Sequence, residues 1–65
     1  MNIKVERVRK NITQSELAEA IGISTNTLQK YEKGIDKIPS GKLIAMAELF
    51  DCSTDYLLGL TEERK

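Results

Sequence analysis

Apolar residues fall along this chain in short clusters at helical spacing, and no segment alternates polar and apolar positions as a half-buried strand would. The first cluster, Ile3, Val5 and Val8, sits among alternating charges and its period is ambiguous. Its Arg and Glu content favours a helix over residues 3–10, with Asn11 suited to a left-handed helix end. Thr13-Gln14-Ser15-Glu16 then has the form of a capping box, in which hydroxyl and carboxylate each bond the other residue's amide. Leu17, Ala18 and Ile21 follow on one face, Ile12 stands ready as a staple partner for Leu17, and Gly22 stops the helix.

Ser24 is placed to cap a third helix after a turn of about three residues. In it Leu28 and Tyr31 share a face, while Thr25, Asn26, Thr27, Gln29, Lys30 and Lys33 point elsewhere, and Gly34 closes it. The loop around Pro39 leads to a fourth helix capped by Ser40, whose Leu43, Met46, Ala47 and Phe50 make an i, i+3, i+4, i+7 stripe. A fifth, short helix is expected from Ser53 to Gly59, burying Leu57 and Leu58. The pattern predicts an all-α fold of five helices. The domain is expected to span residues 1–60, with 61–65 a frayed polar tail.

A length of 65 residues suits one domain near the lower limit for folding on a hydrophobic core alone. The uninterrupted apolar run from Leu43 to Ala47 is far too short to cross a bilayer, and the opening "MNIKVERVRK" lacks the apolar stretch of a signal peptide. The expected location is the cytoplasm. One cysteine, Cys52, excludes an internal disulfide and reads as a small packing residue. With no histidine there is no catalytic imidazole and no His/Cys zinc site. Carboxylate pairs, phosphate-binding glycine loops and base-activated nucleophiles are missing too, and Glu62-Glu63 lies in the tail. Neither an enzyme nor a cofactor, metal or small-molecule ligand is implied.

Formal net charge is zero, yet the charge is unevenly placed. Residues 1–42 carry eight Lys/Arg against five Asp/Glu, and residues 43–65 carry two against five. Such polarity can orient a domain on a polyanion without net charge, although neutrality itself favours a protein partner.

Two helices joined by a short glycine-containing turn form a helix-turn-helix unit, which needs a small residue at the crossing (Ala18), glycine in the turn (Gly22) and apolar anchors in the second helix (Leu28, Tyr31). Arg7, "TQSELAEAIGIS" at 13–24, "LQKYEKG" at 28–34, Pro39 and "FDCSTDYLLG" at 50–59 make the chain resemble lambda-repressor-like, XRE-type helix-turn-helix proteins, including Cro-like phage regulators. The resemblance covers almost the whole chain, although Pro39 comes one position later after Gly34 than is usual in the family.

The resemblance implies a partner in double-stranded DNA and a transcriptional regulator, most simply a homodimeric repressor on a palindromic operator. By position, Gln14 resembles the residue that bonds a backbone phosphate and braces the recognition helix. Thr25, Asn26 and Lys30 match base-reading positions with Gln29 on the flank, and Ser24 and Thr27 match positions near phosphate or a thymine methyl. Lys33 and Lys37 match phosphate-gripping positions, while Arg7 and Glu32 match a partly buried ion pair. The chemistry agrees: Asn can bond adenine N6 and N7, Lys favours guanine O6 and N7, and Thr offers a hydroxyl and a methyl.

Plainer readings stand beside these. Thr25 and Thr27 suit a helix start, Lys33, Lys37 and Lys42 could be solvated, Tyr31 reads as core, and Asp36 opposes phosphate in its loop. Apolar residues beyond what a small core needs make Thr54, Tyr56, Leu58 and Leu60 candidates for a dimer face. The rival reading is an antitoxin-like or adaptor module that binds a protein through the same fold.

Overall fold

The computed structural model describes Met1–Lys65 as five helices and no strands: α1 (Ile3–Arg9), α2 (Gln14–Ile21), α3 (Thr25–Glu32), α4 (Ser40–Phe50) and α5 (Thr54–Leu58). Helices α2 and α3 pack most extensively, α1 lies against α3 and α4, and α4 also meets α2 and α5. Ile3, Leu17, Leu28, Met46 and Leu57 are completely buried where these helices converge, one from each. No helix is long and apolar enough to cross a membrane.

Local chemistry accounts for where the helices begin. Thr13 Oγ1 accepts from the Glu16 amide at 3.1 Å and Glu16 Oε1 accepts from the Thr13 amide at 2.9 Å, the reciprocal capping box expected there. Ser24 and Ser53 cap α3 and α5 by accepting from the amides of Thr27 and Tyr56. The expected Ser40 cap is not formed. Pro39 takes the cap position, with φ −56°, and its carbonyl accepts the first helical bonds from Lys42 and Leu43. Proline's fixed φ leads the chain into α4, so Ser40 becomes its first helical residue.

All five helices end the same way. A left-handed residue (Asn11, Gly22, Gly34, Asp51 or Gly59) follows the last turn, its amide bonding three residues back. The next amide, from Ile12, Ile23, Ile35, Cys52 or Leu60, bonds five residues back. This paired closure satisfies carbonyls that a helix end leaves without partners. Ile12, Ile23 and Cys52 also turn their side chains onto the core, which ties each stop to packing. At Gly22 the φ of 75° is one that a side chain with a Cβ adopts only under strain, so glycine makes this stop before the turn to α3 inexpensive.

Lys42 has a role of its own: Nζ donates to the Ile21 carbonyl at 2.8 Å, holding α4 against the end of α2. It is therefore committed within the fold rather than solvated or facing a polyanion. Cys52 is half-buried against the core, and burial pushes its thiol pKa up.

The C-terminal residues are not frayed. The Arg64 carbonyl accepts from the Ser53 amide at 2.6 Å, and Arg64 Nη2 donates to Glu6 Oε1 at 2.6 Å and to the Phe50 carbonyl at 2.9 Å. Glu6 is only 2% exposed, and the Tyr56 hydroxyl donates to its Oε2 at 3.0 Å. A buried carboxylate on α1 thus holds both the tail and α5. The Arg64 guanidinium, followed by the Tyr56 hydroxyl, draws the Glu6 pKa below its ordinary value against the opposing effect of burial. Every buried side-chain polar atom has a hydrogen-bond partner.

Candidate nucleic-acid interface

The crossing of α2 and α3 depends on Ala18, which is 2% exposed and leaves room for the second helix to approach. Leu28 (0% exposed) and Tyr31 (6%) then anchor α3 from its inner side. Because successive residues advance about 100° around a helix, burying these two turns Asn26, Gln29, Lys30 and Lys33 outward together. All four are exposed and form a continuous polar stripe. Thr25 and Thr27 are half-buried on its two flanks, so they belong to the edges of the stripe.

Ser24 and Thr27 are bound to one another as well as to the helix start. Ser24 Oγ accepts from the Thr27 amide at 3.1 Å and donates to Thr27 Oγ1 at 2.9 Å. That pairing leaves the Thr27 hydroxyl proton free to turn outward. Lys33 closes α3, and Lys37 is exposed in the loop beyond it. Lys30, Lys33 and Lys37 enter none of the ion pairs of the structure, so their charges face solvent uncompensated by a close carboxylate. Of the two acids nearby in sequence, Glu32 is paired with Arg7 and Asp36 is exposed in the same loop.

Arg7 and Glu32 form the buried pair anticipated between the first and third helices, Nε to Oε2 at 2.8 Å. Their side chains are 12% and 5% exposed. Arg7 also donates to the Ile12 carbonyl at 3.0 Å, which fixes the turn before α2. Glu32 has a second partner in Gln14, which the resemblance assigned to bracing the recognition helix without indicating which side chains it would hold. Gln14 Nε2 donates to Glu32 Oε1 at 3.0 Å, and Gln29 Nε2 in turn donates to Gln14 Oε1 at 3.3 Å. Residues 14, 29 and 32 are brought together only by the helix crossing, and nothing in their local sequence signals it.

Beside this network a shallow groove of about 510 Å³ runs along the N-terminus of α2, lined by Asn11, Thr13, Gln14, Ser15 and Thr25 among others. The Gln14 and Ser15 amides, first in α2, have no intrahelical acceptor, and the helix dipole there favours an anion. A groove with free amides, next to a polar stripe carrying unpaired lysines, has the means to hold phosphate on one side and base edges on the other.

Of the remaining candidates, Tyr56 is buried, its hydroxyl is bonded to Glu6, and burial followed by that bond pushes its pKa up. Turned inward in this way, Tyr56 is not a surface contact, and the expectation that it belongs to a dimer face is corrected. Leu60 is 73% exposed, and Thr54 and Leu58 are half-buried.

Comparison with known proteins supports the same unit. The helix-turn-helix family matches residues 3–57. The chain is 40% identical over 62 residues to YobD of Bacillus subtilis, described as an uncharacterised HTH-type transcriptional regulator; the match covers 92% of this chain and 55% of that protein. It is 42% identical over 60 residues to an uncharacterised HTH-type transcriptional regulator of Rickettsia conorii, covering 91% of this chain and 48% of the relative. Identity to the HTH-type transcriptional regulator ImmR of Bacillus subtilis is 36% over 63 residues, 97% of this chain and 50% of the relative. The chain thus spans about half the length of these relatives.

Proposed function

This chain belongs to the lambda-repressor-like, XRE-type helix-turn-helix family, which is non-enzymatic, and on that premise we propose that it binds DNA sequence-specifically to regulate transcription. The observation that carries the reading is the outward stripe of α3. A helix fits the ~12 Å major groove, and this one offers an amide pair and an ammonium to base edges while its apolar side stays in the core.

In this reading Asn26 and Lys30 contact bases, with Gln29 and Thr25 at the edge of the stripe. Gln14 uses its remaining N–H, with the free amides of α2, to hold a phosphate. Ser24 and Thr27 lie near phosphate or a thymine methyl, and Lys33 and Lys37 follow the backbone beyond α3. One such helix covers only a few base pairs, so specificity calls for two copies on half-sites about one helical turn apart. Leu60, with Thr54 and Leu58, is the apolar patch for that pairing, and repression follows from occlusion of the promoter.

Titrating binding to random duplex against salt tests the proposal. Each phosphate contact should contribute roughly 0.9 log unit in affinity per log unit of salt. A flat response would refute DNA binding and favour the protein-binding rival, which the chain's net neutrality otherwise supports. Selection from a random duplex pool should then return a palindrome. Asn26→Ala and Lys30→Ala should each relax preference at particular base pairs by about 1–3 kcal/mol.

A further inference from the structure

Amide side chains are ambiguous readers, because oxygen and NH₂ exchange places on a half-turn of the terminal torsion. Here that ambiguity is removed from inside the protein. Glu32 is held by Arg7 and can only accept, so Gln14 must turn its NH₂ toward Glu32 Oε1, as observed at 3.0 Å. The Gln14 oxygen then faces α3, and only the NH₂ of Gln29 can meet it, as observed at 3.3 Å. Reversing either amide would set two oxygens, or two NH₂ groups, against each other.

Gln29 is exposed, and this is its one side-chain hydrogen bond within the protein. Its oxygen and one N–H are therefore left without a partner inside the protein. We propose, resting on the DNA-binding reading above, that Gln29 is a specificity-determining residue whose amide is oriented by Glu32 through Gln14 to select adenine over guanine. Adenine presents a donor at N6 and an acceptor at N7, matching one oxygen and one N–H. Guanine presents two acceptors, O6 and N7, and would need both N–H groups of the amide. Gln14 acts here as a positioning residue, distinct from its phosphate contact: the phosphate contact affects all sequences alike, whereas the orienting bond affects one base pair.

Selection from a random duplex pool, followed by affinity measurement on single-base variants of the selected site, tests this with wild type, Gln29→Met and Gln14→Met. Both substitutions keep a helix-compatible side chain of similar length, and circular dichroism with urea denaturation reports that each variant folds. The expected wild-type result is an adenine in each half-site whose replacement by guanine costs about tenfold or more in affinity. Gln29→Met should remove the preference at that base pair alone. Gln14→Met should weaken every site and, in addition, shrink the adenine-to-guanine ratio at that same pair several-fold.

Guanine at the Gln29-dependent position would overturn the proposal, as would a Gln29→Met variant that loses no positional preference. Loss of preference in Gln29→Met with an unchanged ratio in Gln14→Met would overturn the orienting role. Failure of the wild type to select any sequence would instead remove the underlying DNA-reading function, a result separable from all of these.

Discussion

Replacing Arg7 by Met asks how much of this small domain rests on its Arg7–Glu32 pair. The substitution leaves Glu32, 5% exposed, with Gln14 as its remaining donor. It also releases the Ile12 carbonyl. Removing one partner of a buried pair costs roughly 3–5 kcal/mol. The lower end, about 3 kcal/mol, fits here because Arg7 is 12% exposed and Gln14 still donates. Glu32→Leu should cost less, about 2 kcal/mol, since the guanidinium keeps the Ile12 carbonyl and can reach water. The double variant removes the uncompensated charge and should lose about 2 kcal/mol, giving a coupling of about 3 kcal/mol.

Urea denaturation followed by circular dichroism measures all four corners of this cycle, with a constant slope showing that unfolding stays two-state. A domain this size has about 3–10 kcal/mol in total, so Arg7→Lys, which keeps the charge but not the planar fork, supplies a milder corner. A coupling below about 1 kcal/mol would place the pair with exposed salt bridges and refute its structural role.

Three further outcomes are expected from the packing and the buried charges. Ala18→Leu should destabilise by about 1–3 kcal/mol in urea through overpacking at the α2–α3 crossing; unchanged stability would mean that the crossing has slack. Lys42→Met keeps the stem but loses the bond to the Ile21 carbonyl, and should cost about 1 kcal/mol while leaving DNA affinity unaltered. A drop in affinity without a drop in stability would return Lys42 to the interface. Because Arg64 holds Glu6 below its ordinary 4.5, Glu6 stabilises the fold fully above that value and loses its contribution as pH falls through the lowered one. Urea midpoints from neutral pH to about pH 3 should show that decline, and in Arg64→Met it should flatten; an unchanged profile would assign the acid sensitivity elsewhere.

The parts of this fold legible in the sequence are those whose chemistry is local. The Thr13–Glu16 capping box, the Ser24 cap and the stop at Gly22 each involve residues within one turn, so their spacing identifies them. The apolar period placed Leu28 and Tyr31 inward, and the outward set followed from it. What escaped reading depends on side chains distant in sequence. Glu6 and Arg64 are 58 positions apart, and a tail rich in charge looks mobile until its arginine meets a buried carboxylate. Lys42 reaches Ile21 across 21 positions, and Gln29 reaches Gln14 across 15. The Ser40 cap fails to form for a different reason. Both Pro39 and Ser40 suit a helix entrance, and local preference alone does not decide which stands outside it.

Net neutrality looks like the strongest objection to a polyanionic partner, yet the placement of the charges weakens it. Two carboxylates of the N-terminal part are consumed within the fold: Glu6 by Arg64 and Tyr56, Glu32 by Arg7 and Gln14. A third, Glu16, closes the α2 capping box. The arginine and lysine that face inward, Arg7 and Lys42, are likewise unavailable to a partner. On and just beyond α3, Lys30, Lys33 and Lys37 remain without an ion-pair partner, and with Glu32 taken up by Arg7 the acid left near them in sequence is Asp36. At physiological salt the Debye length is about 8 Å, so a phosphate at this face responds to those lysines far more than to acids across the molecule. The salt dependence of binding should therefore follow the lysines and amides of this face, and changing Glu62 or Glu63 should leave its slope unaltered while substitution of Lys33 or Lys37 lowers it by about one contact each.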